Sequence, residues 1–72
     1  MTQKALEKIS GTQYQNALEY KKAQRKNLEE AGHKSAADSA KASIAGYVHA
    51  MRDCGVITER ERELLFIYYG TI

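Results

Sequence analysis

The chain has 72 residues, 43% of them apolar and 28% charged, with one Cys, no Pro and a net charge of +2. That length holds a single domain around one hydrophobic core and excludes a second independently folded unit. A lone cysteine excludes an intrachain disulfide. Cys54, His33 and His49 make no recognisable metal-ligand set, so neither metal nor cofactor is expected.

In chain order, residues 2–9 are expected to form a short helix, with Thr2 as its cap and Ala5, Leu6 and Ile9 on one side. Ser10-Gly11-Thr12 interrupts it, although one continuous N-terminal helix kinked at Gly11 satisfies the same pattern. Thr12 can cap a second helix over residues 13–31, closed by Gly32 in the left-handed conformation. Ala17, Tyr20, Gln24, Leu28 and Ala31 recur at three- and four-residue steps and predict its inward stripe, a thin one. A third helix is expected over 35–54, where Ala37, Ala40, Ile44, Tyr47, Val48 and Met51 fall in one arc and build the core. Beside that arc, Ser39, Ser43, Gly46 and Ala50 are all small and predict a close approach by another helix of the chain, with a dimer seam as the alternative.

Gly55 ends the third helix, and Val56 and Ile57 are expected to fold back over its last turn. Thr58-Glu59-Arg60-Glu61 has the form of a capping box, which predicts a fourth helix over 59–69. The short connection makes the last two helices neighbours, a helical hairpin. The fold class is therefore all-α, a small domain of three or four helices; a strand over 64–72 is the minor alternative.

The fourth helix does not alternate. Leu64, Leu65, Phe66, Ile67, Tyr68 and Tyr69 place apolar groups at every angle around it, and a helix apolar all round has to be buried all round. Few large apolar residues elsewhere in the chain are available to surround it. The expectation is that part of this helix meets a protein partner or a second copy, through Leu65, Phe66, Tyr68 and Tyr69; the alternative is a central helix with every face internal. A domain of this size gains about 3–5 kcal/mol from one core, which favours oligomerisation as a support.

Gly55, Val56, Ile57, Thr58, Glu59 and Glu61 resemble the pattern of the short C-terminal modules called SHOCT. In those, a helix ends at Gly, an apolar-apolar-Thr connection follows and a Glu-rich helix begins. The resemblance spans residues 51–69 and implies oligomerisation or accessory binding. Residues 57–65 are also similar to the opening helix of sigma-factor and response-regulator DNA-binding domains, which often start Thr-Glu-Arg-Glu. Only Gly70, Thr71 and Ile72 follow Tyr69, so the recognition helix of those families has no counterpart. The whole chain is similar in style to small accessory proteins of bacterial phages and conjugative elements.

Residues 1–34 carry seven Lys or Arg against four Glu, a balance of +3, and residues 35–72 carry four against five acids, a balance of −1. Lys21, Lys22, Arg25 and Lys26 share an arc flanked by Tyr14 and Tyr20, which suits gripping phosphates beside a stacking ring. Glu19, Glu29 and Glu30 lie close enough to dilute that patch. His49 and Asp53, four apart, read as a surface ion pair, and Cys54 as a small packing residue near a helix C-terminus. Neither a Gly-rich phosphate loop nor a catalytic Ser, His and Asp set can be assembled, so no catalytic residue, enzyme activity or small-molecule substrate is expected. The expected role is a non-enzymatic protein-interaction module, with a nucleic-acid-binding accessory factor as the alternative and a phage-type inhibitor of a host protein as a further one. No stretch resembles a signal peptide or a membrane span, so a cytoplasmic protein without membrane contact is expected.

Overall fold

The computed structural model describes residues 2–71, apart from the Thr2 side chain. The expected Thr2 cap and the last residue of the strand alternative, Ile72, thus lie outside the described residues. Four helices follow one another: α1 Thr2–Ile9, α2 Gln13–Glu30, α3 Lys34–Asp53 and α4 Glu59–Tyr68, with no strand among the described residues. The chain is a small all-α domain. The later helices end one residue earlier than predicted because Ala31, Cys54 and Tyr69 are caps that belong half to the helix. Likewise α3 begins at Lys34 rather than Ser35, after His33, whose side chain makes no capping bond.

Local chemistry sets most of these boundaries. At the start of α2 the Thr12 side chain accepts a hydrogen bond from the Gln15 N–H, so the chain breaks at Gly11 rather than continuing as one helix. At the ends of α2, α3 and α4 the N–H groups of His33, Val56 and Thr71 donate to the carbonyls of Leu28, Met51 and Phe66 at 3.0, 2.9 and 2.9 Å. Each closes a six-residue loop that satisfies a carbonyl the helix leaves free. At Gly55 this reversal requires φ of 77°, which a residue with a Cβ adopts only at a cost. The reversal carries Ile57 into the core, with Val56 packed against it.

The helix α4 starts with the predicted capping box. The Thr58 N–H donates to Glu61 Oε1 at 2.7 Å, and the Glu61 N–H donates to Thr58 Oγ1 at 3.2 Å. Lys8 Nζ donates to the same Glu61 oxygen at 2.8 Å and thereby ties the end of α1 to the start of α4. The Lys8 ammonium first, and the Thr58 N–H second, hold the Glu61 carboxyl below its ordinary range.

α2 and α3 run antiparallel, since Lys21 meets Ser43 while Tyr14, seven residues earlier, shares a concavity with Tyr47 and Met51. α4 lies against α1 and α3, and α1 also touches α2. Ala5 and Ile9 of α1, Leu18 of α2, Ile44, Val48 and Met51 of α3, and Leu65 and Phe66 of α4 with its cap Tyr69 meet in one core. The α1 and α3 faces match their predicted arcs; of the α3 arc, Ala37 and Ala40 are buried too and Tyr47 is half-buried.

Two packing expectations are corrected. On α2 the inward stripe is Tyr14, Leu18, Lys21, Arg25 and Leu28, rotated from the predicted one; Tyr20, Gln24 and Ala31 are exposed. Leu18, the large apolar residue at the centre, decides the rotation, and the long stems of Lys21 and Arg25 lie over the neighbours as apolar cover. On α3, Ser39, Ser43, Gly46 and Ala50 are exposed, and a Cβ added at Gly46 would meet nothing within 4 Å. α2 reaches this edge only through long side chains, Lys21 donating to Ser43 Oγ at 2.7 Å, and no backbone of the described residues packs closely on Gly46.

Replacing Thr58 with Ala removes one half of the capping box and is expected to cost about 1 kcal/mol. For a domain of this size that lowers Tm by about 4–8 °C, measured by circular dichroism, and an unchanged Tm would contradict the cap. Acid titration gives a second prediction. The folded Glu61 carboxyl is depressed, so its contribution is present above the unfolded pKa and lost as pH falls through the folded value. Glu61→Gln keeps a capping oxygen but loses the charge, so its stability deficit at pH 7 should shrink towards pH 3.

Candidate functional site

The C-terminal turns of α4 are where apolar surface meets solvent. Leu65, Phe66 and Tyr69 lie at 0, 7 and 5% exposure, whereas Ile67 stands at 62% and Tyr68 at 43%. Of the four expected contact residues, three are therefore corrected: Leu65, Phe66 and Tyr69 belong to the core and have no surface to offer. Tyr68 remains on the outside. Ile67, absent from the expected set, is the more exposed of the pair.

Polar side chains supply the missing cover. The Arg62 guanidinium lies 4.9 Å from the centre of the Phe66 ring, and the His49 ring meets it edge-on with centroids 4.9 Å apart. The Tyr69 hydroxyl donates to Glu19 Oε2 at 2.9 Å. Burial first, and the adjoining Glu19 carboxylate second, push the Tyr69 phenol above its ordinary pKa. Arg25 Nη1 donates to the carbonyls of Tyr69 and Gly70 at 3.0 and 3.2 Å. A cation at the free carbonyls of a helix C-terminus satisfies both their hydrogen-bonding capacity and the local negative potential. Glu29, at 3.7 Å from Arg25, completes the arrangement.

The four cations expected to share one phosphate-binding face are consequently not equivalent. Arg25 faces α4, and Lys21 Nζ donates to Ser43 Oγ at 2.7 Å while standing 5.7 Å from the Tyr47 ring centre. Both are half-buried on the inward stripe, which corrects their place in an outward basic patch. Lys22 and Lys26 are exposed. Lys22 Nζ lies 5.3 Å from the centre of the ring of Tyr68, the chain neighbour of Ile67. Tyr20, at 71% exposure, projects from the outer side of α2.

Other candidates do not assemble as read from the sequence. Asp53 pairs with Arg52 at 3.0 Å, and no His49–Asp53 ion pair forms, because His49 turns its ring to Phe66. Cys54 is exposed, not packed, because the cap at the end of α3 leaves its side chain at the rim of a concavity. Tyr14, Tyr47, Ala50, Met51 and Val56 line that concavity, which contains no charged group. Among the described residues, no group of three His, Cys, Asp or Glu side chains could hold a metal, and no helix is long and apolar enough to cross a membrane. The alternating charges of α4 pair locally, Glu59 with Arg62 and, at 2.7 Å, with Arg52, and Arg60 with Glu63 at 3.4 Å.

No protein-family model, curated protein or solved structure matches the chain.

The bond from Tyr69 to Glu19 predicts that Tyr69→Phe, which keeps the ring and deletes only the hydroxyl, destabilises the domain by about 1 kcal/mol. Glu19→Gln, which retains an acceptor, should cost less. Urea unfolding curves check both, and equal losses for the two variants would contradict this assignment.

Proposed function

We propose that the chain is a non-enzymatic protein-interaction module whose contact surface is centred on Ile67 and Tyr68. The observation that carries this reading is the adjacency of two large exposed apolar side chains, Ile67 at 62% and Tyr68 at 43%, on a helix whose other apolar side chains are buried or half-buried. An aliphatic and an aromatic residue together on rigid backbone make a suitable anchor for another protein. The likeness of Gly55 to Glu61 to SHOCT modules points the same way.

Magnitudes favour a foreign protein over a second copy. Fully burying a large apolar side chain gains about 1.5–3 kcal/mol, while association costs about 4–15 kcal/mol in lost freedom. A symmetric dimer would bury the pair from each copy, four side chains already about half covered, and the gain of roughly 3–6 kcal/mol does not exceed that cost by the margin a tight dimer needs. A partner with its own complementary surface can supply the remainder, and inhibition of a host protein is one form such a contact can take. A nucleic-acid role is less well supported, since of Lys21, Lys22, Arg25 and Lys26 only Lys22 and Lys26 point outward.

A photo-crosslinking amino acid at position 67, with a control at position 16 on the outer side of α2, tests the reading in cells of the source organism. Protein adducts from position 67 and none from position 16 are expected. Nucleic-acid adducts, or equal yields from both positions, would contradict it. Ile67→Ser should leave Tm unchanged within about 0.5 kcal/mol of stability, because the side chain is outside the core.

A further inference from the structure

We infer that the partner of the Ile67 and Tyr68 surface is an acidic amphipathic protein segment, with an apolar side chain seated on that pair and carboxylates within one helical turn of it. This rests on the interaction-module reading and adds the chemical class of the partner. The argument is one of charge. Lys22 stands 5.3 Å from the Tyr68 ring centre, and Lys26, four residues further along α2, projects from the same side of that helix. Neither ammonium has a carboxylate of the described residues within 4.0 Å.

Three nearby acids are held by other groups, and exposed Glu30, four residues beyond Lys26, forms no ion pair with it. Glu19 accepts the Tyr69 hydroxyl at 2.9 Å, Glu29 pairs with Arg25 at 3.7 Å, and Glu63 pairs with Arg60 at 3.4 Å. An apolar anchor bordered by two ammonium groups that form no ion pair selects a ligand that is apolar at its centre and negative at its edge.

Other negatively charged surfaces fit less well. A nucleic acid would draw on the cations and an open aromatic face, but Arg25 is turned to the Tyr69 and Gly70 carbonyls, Lys22 lies over Tyr68, and exposed Tyr20 lies more than about 100° round α2 from Lys22 and Lys26. Ile67 gives a base nothing to stack on. An anionic bilayer calls for a helix with a broad apolar face directed outward, and the broad apolar face of α4 is turned into the core.

Selection of a random dodecapeptide display library against the full chain tests the proposal. Enriched peptides should carry Asp or Glu within four positions of a Leu, Ile, Phe or Trp. Binding of a synthetic representative should weaken about three- to tenfold on Lys22→Glu/Lys26→Glu, and equally when its acids become Gln. A Lys-for-Glu version of the peptide should recover binding to the double variant. Neutral or basic peptides that still depend on Ile67, lost on Ile67→Ser, would overturn the acidic class and leave the interaction surface standing. Peptides indifferent to Ile67→Ser, or no enrichment while an oligothymidylate binds, would overturn both. No enrichment with either probe would overturn the acidic class.

Discussion

The constraint on this molecule is the supply of cover for the last two turns of α4. Leu64 to Tyr69 is an unbroken run of large side chains, and the other three helices together offer few residues of comparable size. The structure meets the constraint by drawing on polar residues for their apolar bodies. The Arg62 stem and guanidinium cover one side of Phe66, the His49 ring covers another, and Glu19 receives the hydroxyl that buried Tyr69 brings with it. Arg25 belongs to the same solution, because it donates to the carbonyls of Tyr69 and Gly70 that the end of α4 leaves free. No buried polar side-chain atom among the described residues lacks a hydrogen-bond partner.

The cover is incomplete in one direction only. Arg60, Glu63 and Ile67 fall along one line of α4 at three- and four-residue steps, which is the line facing solvent. Charged residues occupy it for two turns, and then an isoleucine takes the next position with Tyr68 beside it. Substituting another charge for Ile67 would have met no steric obstacle, so the aliphatic side chain there has no evident part in holding the fold. Its exposure beside Tyr68, which Lys22 of α2 borders, is the basis for assigning a partner surface to this corner.

Much of the architecture was legible from the residues alone. Capping chemistry at Thr12 and Thr58 and the reversals at Gly32 and Gly55 fix boundaries that depend only on local sequence. The face of α3 was legible because its large residues are apolar and evenly spaced. The face of α2 was not, since a stripe of Tyr14, Leu18, Lys21, Arg25 and Leu28 looks polar when Lys and Arg are counted by their charge. The same omission made α4 look hard to cover within one chain and placed Leu65, Phe66 and Tyr69 at an interface. A helical-angle comparison with Arg60 and Glu63 would have singled out Ile67, whereas Arg25 reaching the α4 carbonyls depends on tertiary geometry that no local pattern encodes.

The division of α4 into hidden and displayed side chains is tested most directly by solvent accessibility in a dilute monomer. Nuclear magnetic resonance with a water-soluble paramagnetic probe, at low micromolar protein and confirmed monomeric by light scattering, reads each side chain separately. Strong attenuation at the Ile67 methyls and Tyr68 ring, with Leu65, Phe66 and Tyr69 protected, is the expected result. Comparable attenuation across all five would contradict the account, and would mean that α4 is packed only when a second molecule covers it.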